Sequence, residues 1–269
     1  MHGTYEANMT MYNCDLMICV GARFDDRITG KVSGFSPKSK KVHFDIDASS
    51  FNKSVNVDLT VQGDLSKILQ IINKKIEEKK ITFKQKKIKD WWSQINKWRS
   101  KDCLKFKNSN KIIKPQHALK RLDYLTKKYN PYITTEVGQH QMWAAQFLTF
   151  NKPKHWMTSG GLGTMGYGLP AAMGVQIAHP NSLVIDVAGE ASILMNIQEM
   201  STIKQFKLPV KVFILNNHYM GMVRQWQELL HGNRLSESYM DSLPDFVKLA
   251  ESFGATGLRT EKPSEIDDL

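Results

Sequence analysis

Short apolar runs alternate with amphipathic stretches along most of the chain, which is the pattern of parallel strands joined by helices. The clearest example covers residues 182–217, where the run SLVIDV, a turn of small residues, an amphipathic stretch over 193–206 and the run VKVFIL follow one another. Runs that are apolar at nearly every position indicate strands buried on both faces of a sheet. This pattern predicts a βαβ unit with parallel strands and a right-handed crossover.

The same alternation predicts two sheet domains. Apolar runs near residues 14–24, 40–47 and 57–64 precede a helical pattern that starts at residue 65, and strands and helices alternate again from residue 114. A lysine-rich stretch with helical spacing lies between them. We predict an α/β protein with two doubly wound parallel-sheet domains: part of a Rossmann-like domain over 1–75, a basic helical linker over 76–113 and a larger domain over 114–269.

Two segments of the larger domain carry finer expectations. Residues 243–260 predict a last helix followed by the start of a strand, and KPKHWMTS over 152–159 is a poor strand pattern. The glycines that follow it have the spacing of a dinucleotide fingerprint, and Asp186 lies downstream. Such a fingerprint must directly follow a buried strand, so we interpret this one as a decoy. Its glycines are Gly161, Gly163 and Gly166.

The net charge of +11 is concentrated in one segment. Residues 67–128 hold 20 Lys and Arg against 5 Asp and Glu. Such a run is usually a solvated helix face or a linker, and a nucleic-acid patch is the less favoured alternative. Trp91 and Trp98 are seven residues apart, a spacing that favours the buried stripe of an amphipathic helix over base stacking. We therefore expect no nucleic-acid partner.

The sequence shows neither a transmembrane nor a secretory pattern. It has no apolar run long enough to cross a membrane and no basic head followed by an apolar core at its start. Its three cysteines have no metal-ligand spacing and are odd in number. Cys14 and Cys19 flank an apolar run, which favours core thiols over a disulfide and fits a reducing compartment. We expect a cytoplasmic protein without a membrane partner.

Polar residues follow both strands of the βαβ unit. Glu190 and Asn217 are 27 residues apart, and the crossover brings the carboxyl ends of its two strands to one edge of the sheet. A carboxylate, an amide oxygen and a nearby carbonyl form a hard oxygen set that suits Mg²⁺ on a phosphate. The alternative, a structural unit with an ordinary acidic cap, stays open on spacing alone.

These residues also carry a resemblance to a known family. The triplet Gly189-Glu190-Ala191 and the later pair Asn216-Asn217 resemble the thiamine diphosphate motif, in which Gly-Asp-Gly precedes Asn-Asn. Glu190 stands where that motif has Asp, one methylene shorter. The segment Tyr219–Arg234, YMGMVRQWQELLHGNR, resembles the large catalytic subunit of acetolactate synthase (acetohydroxyacid synthase).

The resemblance implies a set of ligands for Mg²⁺ and thiamine diphosphate. The metal ligands would be Glu190, Asn217 and the carbonyl of Tyr219. Met165 matches the bulky residue that holds the cofactor in its bent form. Judged from its position alone, His140 at a helix start is more often a cap or a packed ring than a ligand. The residues implied around the diphosphate and its helix are Gln139, His140, Gly189, Ala191 and Ser192.

The first domain resembles the middle domain of the same family, which holds FAD. In that family FAD carries out no net redox chemistry. Arg23 and Arg27 are four apart, so both would face one side if their turn were helical. The positions that match the FAD-associated segments are Met1, His2, Gly3, Gly21, Arg23, Asp25, Asp45 and Ile46.

The implied reaction joins two pyruvates into 2-acetolactate with loss of CO₂, or pyruvate and 2-oxobutyrate into 2-aceto-2-hydroxybutyrate, early in branched-chain amino-acid synthesis. Arg27, Met222 and Trp226 match the residues that frame the second keto acid. The implied partners are a second copy of the chain, in a homodimer or higher oligomer, and a small regulatory subunit.

Two other interpretations remain. One is a different thiamine diphosphate-dependent decarboxylase or oxidase, and the other is a truncated scaffold without activity. Relative to the family, the sequence lacks the amino-terminal domain that supplies an acidic residue to the cofactor, so we expect a fragment that is inactive alone.

Overall fold

The computed structural model describes residues 3–269, which fall into two compact units: one that ends at Lys105 and one over Phe106–Leu269. Each unit is built around its own parallel sheet. The predicted α/β class with two parallel-sheet domains is therefore confirmed. Among the described residues, no helix is both long and apolar enough to span a lipid bilayer.

The first unit holds a three-stranded sheet in the order β1-β2-β3. Its strands coincide with the three predicted apolar runs, and aspartate side chains cap the helices α2 and α3 that follow β1 and β3. The strands are β1 (Leu16–Val20), β2 (Lys40–Asp45) and β3 (Leu59–Gln62). The helices are α1 (Tyr5–Asn13), α2 (Asp26–Thr29), α3 (Leu65–Glu78) and α4 (Gln85–Arg99).

Helix α4 carries much of the basic segment and packs against α1 within the first unit. Ile95 is its buried position, while Trp91 and Trp98 are half-buried and meet edge to face with ring centres 5.6 Å apart. Trp92 is 52% exposed on the other side. The lysines therefore line the solvent side of a helix that contributes to this unit's packing.

The second unit has a four-stranded sheet in the order β5-β4-β6-β7. All neighbouring strands are parallel, and β6 and β7 form the predicted βαβ unit. The strands are β4 (Tyr132–Thr135), β5 (Trp156–Thr158), β6 (Val184–Gly189) and β7 (Lys211–Leu215). The helices are α5 (Pro115–Thr126), α6 (Gln139–Phe147), α7 (Gly168–Ala178), α8 (Glu190–Ile193), α9 (Glu199–Gln205), α10 (Gly221–Leu230) and α11 (Phe246–Ser252).

Strand β6 is buried along its whole length because helices cover both faces of this sheet. Alternate residues of a strand point to opposite faces. Ile185 and Val187 pack with α5 and α6 in one core cluster, whereas Ala188 packs with α7, α8 and α9 in the other. This double cover is what the unbroken apolar run of β6 predicts.

The structure differs from the sequence-based expectation in four places. The helix expected over 193–206 is divided into α8, a 3₁₀ turn at Leu194–Asn196 and α9. The poor strand pattern over 152–159 contains the edge strand β5. No strand forms after α11, where the chain instead ends in a 3₁₀ helix, Pro263–Asp268, that Arg121 anchors through Asp267. Arg23 precedes α2, so it does not share a helical face with Arg27.

Three of these differences can be traced to specific contacts. The side-chain amide of Asn196 donates to the Gly166 carbonyl at 2.6 Å, and this contact draws the chain out of regular helix. Strand β5 needs only one partner because it lies at the sheet edge, where a three-residue pairing with β4 suffices. Asp25 caps α2 by accepting from the Arg27 amide, which fixes the helix start after Arg23.

Candidate functional site

The second sheet reverses its winding direction between β4 and β6, and this is where such folds bind ligands. The chain leaves β4 toward β5 on one side and leaves β6 toward β7 on the other. Acidic residues stand directly after both central strands, Glu136 after β4 and Glu190 after β6. The candidate site is this sheet edge.

Glu190 connects the ends of β6 and β7. Its side chain is only 2% exposed, and its Oε1 accepts hydrogen bonds from the backbone N–H of Tyr219 at 2.8 Å and of Asn217 at 3.2 Å. The Oδ1 of Asn217 also accepts from the Tyr219 N–H, at 3.0 Å. Burial raises the pKa of the Glu190 carboxyl. The structure thus gathers the three sequence-predicted metal ligands in one place.

The donor chemistry of this group fits a hard divalent cation that also binds phosphate. No cluster of three or more His, Cys, Asp or Glu side chains with metal-ligand geometry lies among residues 3–269. A cation here would therefore meet one carboxylate, Glu190, together with amide and carbonyl oxygens. Mg²⁺ is bound in this way, by one or two carboxylates with phosphates completing its shell. The protein therefore does not have to supply every ligand of the cation.

His140 lies against the turn before Glu190. Its ring is so close to two glycines that a Cβ at Gly138 would lie 2.7 Å from Cε1 and one at Gly189 would lie 2.6 Å from Nδ1. Desolvation lowers the pKa of this ring to about 4, so it is neutral near pH 7. Nε2 is buried and has no hydrogen-bond partner within the described part of the chain. A buried polar atom without a partner at this edge is suited to meet a ligand.

The side chain of Gln139 joins helix α6 to helix α10. Its Nε2 donates to Oε1 of Gln225 at 2.8 Å, and its Oε1 lies so close to Gly221 that a Cβ there would be 2.2 Å away. On α10, Met222 is half-buried and Trp226 is 48% exposed. A shallow surface cavity is lined by Val223, Trp226, Gln227, His231 and Arg234. Met222 therefore lies outside the cavity that Trp226 lines.

The turn residues of the motif are tightly packed. Ala191 and Ser192 are buried in α8, and the Ser192 hydroxyl donates to the Gly189 carbonyl at 3.2 Å. Met165 is half-buried in the loop before α7. All three residues belong to the second unit, as Glu190 does.

The sequence-predicted residues of the first unit lie mostly at the ends of β1 and β2. The Gly21 N–H donates to the Phe44 carbonyl at 2.9 Å, which places Gly21 beside the end of β2. Asp45 is the last residue of that strand, and the 69% exposed Ile46 follows it. Gly21 has φ +61°, a left-handed conformation that favours glycine. Asp45 accepts from the Asp47 N–H at 2.9 Å.

The charged residues after β1 are exposed or partly exposed. Arg23 pairs with Asp25 at 3.6 Å, and Arg27 on α2 lies 3.9 Å from Asp26. Gly3 precedes α1, the helix that packs on α4. Met1 and His2 lie outside the described residues.

A pair of fully buried carboxylates was missed by sequence reasoning. The oxygens of Glu136 accept from the backbone N–H groups of Gly166 at 2.6 Å and Leu169 at 3.0 Å. Asp186 Oδ1 accepts from the Thr134 hydroxyl at 3.0 Å. Burial, and then the charge of Glu136, raise the pKa of Asp186 to about 8. One signal was present in the sequence: Glu136 directly follows the apolar run that became β4.

Glu136 also accounts for the glycine-rich stretch interpreted as a decoy. The N-terminus of α7 would receive a dinucleotide's pyrophosphate if the fingerprint were real. Here the Leu169 N–H in its first turn donates to the Glu136 carboxylate instead. An anion supplied by the protein itself therefore occupies that helix end.

Comparisons with known proteins match both units. The family model described as thiamine pyrophosphate enzyme, central domain, matches residues 1–72, and that described as thiamine pyrophosphate enzyme, C-terminal TPP binding domain, matches residues 136–269. The second match contains the candidate site.

Curated relatives are similar along the whole chain. The acetolactate synthase isozyme 3 large subunit of Escherichia coli (strain K12) is 48% identical over 267 residues, which cover 99% of this chain and 46% of the relative. The acetolactate synthase large subunit of Buchnera aphidicola subsp. Acyrthosiphon pisum is 48% identical over 269 residues, or 100% of this chain and 46% of the relative. That of the alga Pyropia yezoensis is 46% identical over 255 residues, or 94% and 42%. The chain thus spans about half the length of these relatives.

Proposed function

Because this chain belongs to the thiamine pyrophosphate enzymes and is homologous to acetolactate synthase large subunits, we propose that it forms the Mg²⁺–thiamine diphosphate site of an acetolactate synthase. One observation carries the proposal. Glu190 follows β6, one of the two strands at the winding reversal of the sheet, and its carboxylate accepts hydrogen bonds from the backbone of Asn217 and Tyr219 after β7. The Glu at this position supplies the same type of oxygen donor as the Asp of the family motif.

The proposed ligands divide into two groups. Glu190, Asn217 and the Tyr219 carbonyl would hold Mg²⁺ on the diphosphate. The neutral His140 ring and the Gln139 amide would contact the diphosphate, while Met165 supports the bent cofactor. Thiamine diphosphate, when bound, supplies the electron sink for decarboxylation of a 2-keto acid. The remaining residues proposed around the cofactor are Gly189, Ala191 and Ser192.

The proposed substrates are two molecules of pyruvate, or pyruvate and 2-oxobutyrate. The guanidinium of Arg27 suits the carboxylate of the second keto acid because its planar, permanently charged fork matches two oxygens. On the second unit, Met222 and Trp226 of α10 are each proposed to offer apolar surface to a keto-acid substrate. The products would be 2-acetolactate or 2-aceto-2-hydroxybutyrate, with loss of CO₂.

We also propose FAD at the ends of β1 and β2. This proposal is supported by the left-handed Gly21, which lets backbone approach a ligand, and by the exposed Ile46 beside Asp45. The other residues proposed for it are Met1, His2, Gly3, Arg23 and Asp25. A homodimer or higher oligomer, a small regulatory subunit and a cytoplasmic location complete the proposal.

Product analysis tests this function. The native assembly that contains this chain is supplied with Mg²⁺, thiamine diphosphate and FAD and is incubated with pyruvate alone and with added 2-oxobutyrate. The isolated chain, which we expect to be inactive, is incubated in parallel. Acetolactate from the first and 2-aceto-2-hydroxybutyrate from the second are expected. Acetaldehyde or acetyl phosphate would instead assign a decarboxylase or an oxidase, and a protein that binds no cofactor would be a scaffold.

A further inference from the structure

Glu136 is a fully buried carboxylate whose bonds all lead to one loop. It is 0% exposed and stands directly after β4. Its Oε2 accepts from the Gly166 N–H at 2.6 Å and its Oε1 from the Leu169 N–H at 3.0 Å. A buried charge is costly unless such donors surround it. The loop before α7 is therefore held by a residue some thirty positions upstream.

The Gly166 peptide is held from two directions. Glu136 binds its N–H, and the Asn196 side chain donates to its carbonyl at 2.6 Å. Gly166 has φ +87°, and a Cβ there would come within 2.8 Å of Asn196 Nδ2 and 2.9 Å of the Met195 Cβ. The position thus requires glycine, for its conformation and for space. Met165 is the residue immediately before this clamped peptide.

The second buried carboxylate, Asp186, packs against Gly168 at the start of α7. Asp186 Oδ1 would lie 2.2 Å from a Cβ at Gly168, and the Glu136 backbone nitrogen would lie 2.6 Å from it. Gly168 therefore sits directly on the two acidic residues. The first turn of α7 faces both carboxylates, and a helix N-terminus favours negative charge. The Gly166 and Leu169 amides on either side of Gly168 are bound to Glu136, and Gly168 itself has no room for a side chain.

We propose that Glu136 is a positioning residue that fixes Met165 against the bound cofactor. The inference rests on the proposed thiamine diphosphate site, since it is there that Met165 would act. If Glu136 only stabilised the fold, its substitution would change cofactor affinity by the same factor whether or not the Met165 side chain is present. A positioning residue acts through Met165 and loses its effect when that side chain is removed.

A double-mutant cycle separates these roles. Glu136→Gln keeps the size and one acceptor oxygen but loses the charge, and Met165→Ala removes the side chain that Glu136 would position. Affinity for thiamine diphosphate with Mg²⁺ is measured by isothermal titration for the wild-type chain, both single variants and the double variant. The exposed Glu251→Gln on α11 is the matched control. Hydrogen exchange at the Gly166 and Leu169 amides reports on the loop itself.

The expected result is a roughly tenfold weaker cofactor affinity for Glu136→Gln, the value of one charge-assisted hydrogen bond, with faster exchange at both amides. In the Met165→Ala background the same substitution should have no further effect on affinity. An unchanged affinity, or an equal loss in both backgrounds, overturns the positioning role alone. Absence of binding by the wild-type chain would instead overturn the proposed cofactor site and this inference with it.

Discussion

The carboxylate of Glu190 accepts a hydrogen bond from the Tyr219 backbone N–H at 2.8 Å, although the two residues are far apart in the sequence. The contact joins the ends of two neighbouring parallel strands. It holds the turn after β7 so that Asn217 and Tyr219 lie beside the Glu190 carboxylate.

Glu190→Gln should weaken Mg²⁺-dependent binding of thiamine diphosphate on the order of tenfold or more, because an amide replaces the single carboxylate in the proposed ligand set. Isothermal titration at several Mg²⁺ concentrations measures the effect. Glu190→Asp restores the charge with a shorter side chain and should recover most of the affinity. Equal affinities in the wild-type and Gln variants would return this residue to a purely structural role.

Gly189→Ala should destabilise the second unit by about 1–3 kcal/mol, the usual cost of forcing an extra carbon into a packed site. The new Cβ would lie 2.6 Å from the His140 ring, whereas the backbone, with φ −107°, accepts alanine without strain. Urea denaturation measures the free energy of unfolding.

Gly174→Ala on α7 is the matched control, because a Cβ there meets nothing within 4 Å. It should stabilise the chain by about 0.5–1 kcal/mol, as alanine does in a helix interior. If both substitutions had the same effect, the close approach of His140 to Gly189 would be refuted.

Asp186→Asn should flatten part of the pH dependence of stability. Burial and the Glu136 charge raise the folded-state pKa of Asp186 to about 8 from 3.8. Between these two values the folded state keeps a proton that the unfolded state has released, so stability falls as pH rises. The variant cannot lose this proton, and its stability relative to the wild type should increase from about pH 5 to about pH 8.

Urea titrations at those two pH values measure this difference. The exposed Asp241→Asn variant is the control and should keep the wild-type slope. A gap between Asp186→Asn and the wild type that is the same at both pH values would contradict the assignment of a retained proton to Asp186.

Ile95→Ala should cost about 2–5 kcal/mol of stability in the first unit, because Ile95 is the buried position of α4. Ile88→Ala on the same helix is the control, since Ile88 is 40% exposed, and it should cost less than about 1 kcal/mol. Tryptophan fluorescence during urea unfolding follows the change directly. Similar small costs at both positions would show that this helix is a solvated linker.

The sequence predicted the features that depend on local patterns of residues along the chain. The carboxyl ends of parallel strands meet at one edge of a sheet, so the sequence alone predicts that Glu190 and Asn217 lie together. The apolar runs of β1, β2, β6 and β7 likewise identified their strands. The packed aromatic pair Trp91 and Trp98 followed from heptad spacing.

What was missed depends on contacts between distant residues. Glu136 binds amides some thirty residues away, and no local pattern records that. The break after α8 follows from the bond between Asn196 and Gly166, which likewise joins distant segments. The exception is local: the side chain of Asp25 caps α2, so the helix begins after Arg23 and does not include it. The close approach of His140 to Gly138 and Gly189 depends on the packed fold.

The most direct test of the central claim is a calorimetric titration of the chain with thiamine diphosphate, once with Mg²⁺ and once with a chelator. Saturable binding of one cofactor per chain that disappears with the chelator is the predicted result. An equal cofactor affinity with Mg²⁺ and with the chelator, or no binding under either condition, would contradict a magnesium–diphosphate site formed by Glu190, Asn217 and Tyr219.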